Sequence, residues 1–118
     1  MALTVRAQSI FNQWAELKSF HEVMSQTFHP SEEGDLKPIK ARSREMADKA
    51  KVLAQSPIPT AFNKPDIQKA VQMLAKDSKS LHRLVKSGKA TDEQIKKSLS
   101  DLHDVFHQIV GLCKHENH

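Results

Sequence analysis

Four stretches of this sequence repeat their apolar residues at steps of three and four, and none sustains the alternation that a half-buried strand needs. The first seam reads Ala7, Ile10, Trp14, Leu17, His21, Met24, Phe28, and the second Leu36, Ile39, Ser43, Met46, Ala50, Leu53. The third reads Ile67, Val71, Leu74, Ser78, Leu81, Val85, and the fourth Ile95, Leu99, Leu102, Phe106, Ile109, Cys113. Residues spaced this way share one face of an α-helix. The chain is thereby restricted to helices that each bury one stripe against the others. Its 118 residues fit a single domain, 1–118. With two short connections and one longer one, the pattern predicts an all-α fold, an antiparallel up-down-up-down four-helix bundle.

Local signals set the helix ends. The first helix is expected from Thr4 to Thr27, broken by His29-Pro30, because the residue before a proline avoids helical dihedrals. Residues 29–35 then form a polar connection. The second helix begins near Asp35 or Leu36, with Asp35 as its cap and Pro38 in its first turn. It stops before Ser56-Pro57-Ile58-Pro59, a rigid linker that continues to Asn63. The third opens at Pro65 and is closed by Gly88. The fourth starts at the capping box Thr91-Asp92-Glu93-Gln94 and runs to Lys114. Alanine and serine on the second seam make the core thin, so a homodimer contact or a bound ligand is expected to close one face.

Composition excludes several classes. No run approaches the ~18 apolar residues of a transmembrane segment. No signal peptide is present in this chain, and the expected location is periplasmic or exported after removal of one, with the cytoplasm as the alternative. A single cysteine, Cys113, rules out an internal disulfide, a four-cysteine zinc site and a C-x-x-C-H haem motif. Net charge is +4, and the most basic stretch, Lys64 to Lys97, holds nine Lys/Arg against four Asp/Glu. It contains no aromatic residue on which bases would stack, so no nucleic acid partner is expected. Without a phosphate loop, paired inward carboxylates or a nucleophile–base pair, the chain is not expected to be an enzyme.

The histidines carry the lead to function: there are seven of them. His21 occupies the first seam with Met24 on the next step. His103 and His107 stand at i and i+4, a spacing at which one helix chelates a divalent ion through two imidazoles. Asp101 and Asp104 are candidates to orient those rings. Antiparallel first and fourth helices bring His21, Met24 and His103 to one end. His29 lies in the adjoining loop, and His107 about a turn beyond. His82 reads as structural, and His115 and His118 as a tail. Imidazole with a thioether suits copper, and imidazole with a carboxylate suits zinc. A di-iron centre needs inward Glu-x-x-His pairs, which are missing, since Glu16 and Glu45 lie on polar sides. The expected partner is a metal ion, copper or zinc, for storage, transfer or sensing. The alternatives are an interaction module without metal and a non-covalent haem protein for electron transfer.

In its length, helix lengths, proline-bearing middle linker and cysteine near the end of the last helix, the chain resembles the cytochrome c-prime and b-type four-helix cytochrome group. That resemblance implies a four-helix bundle. Where the group's c-type haem motif would fall, the sequence reads Cys113-Lys114-His115-Glu116-Asn117-His118 with no second cysteine, so covalent haem is not implied. The b-type members ligate haem through a methionine of the first helix at the open end, whereas Met24 sits at the far end of its helix. The segments His21–Gly34 and Leu102–Cys113 are also similar to those of small bacterial exported helical proteins, which implies metal handling by analogy alone.

Overall fold

The computed structural model describes residues 9–115. Among them every regular element is helical. Helix α1, described over residues 9–13, leads into α2 (Ala15–Glu32), α3 (Lys37–Gln55), α4 (Pro65–Ser87) and α5 (Asp92–His115), with a 3-10 turn at Thr60–Phe62. Packing runs in a ring, α2 on α3, α3 on α4, α4 on α5 and α5 back on α2, and the α2–α5 seam has the sparsest backbone approach. None of these helices is long and apolar enough to cross a membrane.

The last three seams are buried as the periodicity predicts. Ile39, Ser43, Met46, Ala50 and Leu53 of α3, Ile67 to Leu81 of the α4 stripe, and Ile95 to Cys113 of the α5 stripe all face the core. Leu36 is buried as the N-cap of α3, and Val85 is half-buried. The caps act as their residues dictate. Gln94 N–H donates to Thr91 Oγ1 at 3.1 Å while Thr91 N–H donates to Gln94 Oε1 at 2.8 Å. Gly88 closes α4 at φ 71°, whereas the expected Asp35 cap is shifted by one residue: Leu36 is the N-cap of α3, and the Asp35 carboxylate accepts the Lys37 N–H at 3.1 Å from just before it.

The first predicted helix is corrected in its middle and at its C-terminal end. It breaks at Trp14, whose φ of −136° and ψ of 85° lie outside the helical region. No glycine or proline is near; the indole is fully buried and stacks on Phe62 with centroids 5.9 Å apart. Its Nε1 has no hydrogen-bond partner, so apolar packing alone holds it. Tertiary packing here overrides local propensity. At the C-terminal end Pro30 does not break the helix but lies inside it. Proline forfeits its own N–H bond and its ring crowds the carbonyl four residues back, yet the helix runs two residues further, and Pro30 O accepts from Glu33 N at 3.0 Å and Asp35 N at 2.9 Å. The stop is Gly34 at φ 92°, whose N–H reaches Ser31 O at 3.0 Å. His29 is therefore helical and not in a loop. The Thr4–Ala7 part of the first seam lies outside the described residues.

Candidate metal centre

The α2 stripe that faces the core is Leu17, Phe20, Val23, Met24, Thr27 and Ser31. His21 and Phe28 are turned from it and are half-buried on the flank that meets α5. The expectation of His21 on the core seam is corrected accordingly. From α5, Phe106 is buried, His103 half-buried and His107 exposed. Rings fill the thin seam between these helices. Phe28 and His103 stack face to face at 3.7 Å and 3°. His21 stacks on Phe106 at 5.4 Å, and His107 meets His103 edge-on at 4.3 Å.

Between the rings lies a cavity of about 60 Å³ lined by His21, Met24, Ser25, Phe28, His29, His103, Phe106 and His107. All five residues proposed as ligands from the sequence reach this one space, and no carboxylate lines it. Met24, at 1% exposure, is the most buried residue of this lining. No three His, Cys, Asp or Glu side chains among the described residues are grouped to hold a metal ion. The imidazoles instead stand in stacked and edge-on contact.

Electrostatics refine the pairing. Burial lowers the His21 pKa below its ordinary value of 6.5, against a raising effect of Glu22, and His107 and His29 lower it further. Burial likewise lowers His103, with His107 and His29 acting the same way and Asp104 and Glu32 opposing. His107 thus acts on both half-buried imidazoles and is not a remote member of the set. Burial against Phe28 and Phe106 favours the neutral form of His21 and His103, the form in which imidazole ligates a metal. The Asp101 carboxylate pairs with Lys97 at 2.9 Å.

Phe11 of α1 is a neighbour of this site that the helical spacing does not reveal. It stacks on His21 at 4.6 Å and lies 6.2 Å from Phe106. In a straight helix Phe11 and His21 would stand about 15 Å apart along the axis, and the Trp14 break brings them together. No glycine or proline announces that break. His82 lies on another seam, its Nδ1 2.9 Å from Ser43 Oγ. The His115 side chain and His118 lie outside the described residues. Comparison with protein-family models, curated proteins and solved structures finds no match.

Proposed function

We propose that this chain is a metal-binding helical bundle that takes a copper ion at the α2–α5 seam, through the imidazoles of His21 and His103 and the thioether of Met24, with His29 or His107 completing the set. The observation that carries this reading is the convergence of all five side chains on one cavity of about 60 Å³. That volume suits an ion with little else, and it is far below the ~300 Å³ or more of pockets that take organic cofactors, which disfavours haem there. Soft thioether donors favour copper(I), which is satisfied by few ligands, over zinc. A metal approaches imidazole in the ring plane, so Phe28 covering one face of His103 leaves both ring nitrogens open and holds the ring's plane.

The antiparallel up-down-up-down arrangement belongs to the same proposal. It is supported by contact pairs that run in opposite order on neighbouring helices. Phe28 meets His103 while His21 meets Phe106, and Ser43 meets His82 while Ala54 O meets Gln72.

Titration of the untagged apo protein with copper(I) and with zinc tests the function. The expected result is about one equivalent of copper bound with a raised melting temperature, both lost in His21→Ala and His103→Ala. Unchanged copper affinity in both variants overturns it. A second reading, a metal-free interaction module, is favoured by the absence of a three-ligand His/Cys/Asp/Glu group among the described residues. It predicts no saturable binding of either metal.

A further inference from the structure

A second, larger cavity lies elsewhere, a groove of about 630 Å³ between α3 and α4. From Arg44 to Gln55 along α3 it extends about 16 Å. Its half-buried lining includes Ala54 and Ala75, whose methyl groups form an apolar floor. Its exposed rim carries Arg44, Lys51, Lys76 and Lys79. Lys76 and Lys79 come from the basic stretch that the metal centre leaves unused.

These cations are not committed to partners. Lys40, Arg42 and Lys97 each pair with a carboxylate, whereas the four rim cations make no ion pair among the described residues. Asp48 shares the groove and leaves the cations in excess. Like charges gathered along one cleft repel each other and attract an anion. His82 closes one end beside Arg44 and Lys79, and its Nδ1 is tied to the buried Ser43 hydroxyl at 2.9 Å. The tautomer in which Ser43 Oγ–H donates to Nδ1 puts the ring proton on Nε2, a donor for an anionic oxygen. The other end, at Ala54, Gln55 and Gln72, carries no charge.

Cations along the rim, a neutral end at Gln55 and Gln72 and an apolar floor at Ala54 and Ala75 define an amphipathic site. We propose that the α3–α4 groove binds a small amphipathic anion, a single-chain carboxylate, with its head at Arg44, Lys79 and His82 and its chain along Ala54 and Ala75. The aliphatic stems of Lys51 and Lys76 flank the chain while their ammonium groups stay in water.

The test is a titration of the full chain with decanoate, with decanol and inorganic phosphate as probes of each half alone, followed by chemical shifts of α3 and α4 amides. The expected result is saturable decanoate binding that weakens with added salt, shifts confined to the groove, and weaker binding of decanol and phosphate. Arg44→Glu with Lys79→Glu, both on exposed positions, is expected to weaken decanoate about tenfold and to leave decanol unchanged. Helical circular dichroism shows that the variant is folded. Decanoate binding no tighter than decanol, equal phosphate binding, or an unaffected folded variant would each overturn the proposal.

Discussion

Two imidazoles on facing helices set the chemistry of the α2–α5 seam. His21 and His103 are held below the ordinary histidine pKa of 6.5, burial being the first cause for each. A folded-state pKa below the unfolded one means that the unfolded chain binds protons more readily. The stability that the two neutral rings contribute is fully present above pH 6.5 and is lost as pH falls through that value toward the folded pKa. The metal-free protein is therefore expected to keep a constant melting temperature from pH 8 to 7 and to lose stability on the way to pH 5, as far as these two groups set it. His21→Gln with His103→Gln should flatten that decline in a thermal melt series, and an equally steep decline in the variant would contradict the assignment. Phe28→Leu keeps apolar bulk but removes the stack on His103. A loss of about 1 kcal/mol is expected in denaturant unfolding, together with a His103 pKa that moves up toward its ordinary value by NMR titration.

At the scale of the elements, the helix ends carry separable contributions. Thr91→Ala removes the hydroxyl that accepts the Gln94 N–H, and a loss of about 1 kcal/mol is expected in urea unfolding. Gly34→Ala meets no neighbour within 4 Å but places a side chain at φ 92°. The cost is then conformational, about 1 kcal/mol, and an Ala substitution without cost would show that α2 ends by another route. The sequence makes α3, α4 and α5 legible because their punctuation is local: Pro65, Gly88 and the Thr91–Gln94 box act through atoms a few residues away. The first helix is less legible for the opposite reason. Its break at Trp14 comes from an indole packed on Phe62, a residue far along the chain that reads as linker. It persists two residues past Pro30, where the rule that a helix stops before a proline would end it. Both misreadings touch the site. Helical continuity through Pro30 puts His29 on α2, and the break at Trp14 lays Phe11 over His21. The five candidate ligands are read from spacing alone, whereas the partnering of His107 with both buried imidazoles needs the register of α5 against α2.

Across the whole molecule, the two candidate sites lie on seams that share no helix. The imidazole cavity lies between α2 and α5, and the cationic groove between α3 and α4. The ring of contacts separates them by the core of Met46, Leu53, Leu74 and Leu99, all fully buried. Binding at one seam is expected to change affinity at the other by no more than about twofold, because sites without shared partners act independently. Decanoate titrations with and without copper check this. X-ray absorption of the copper(I)-loaded protein tests the donor set of the α2–α5 seam directly, because sulfur and nitrogen ligands scatter differently. The expected spectrum shows imidazole nitrogen together with a sulfur ligand that persists in Cys113→Ala and disappears in Met24→Leu. A copper site without sulfur, or one whose sulfur is lost with Cys113 and kept without Met24, would contradict that donor set.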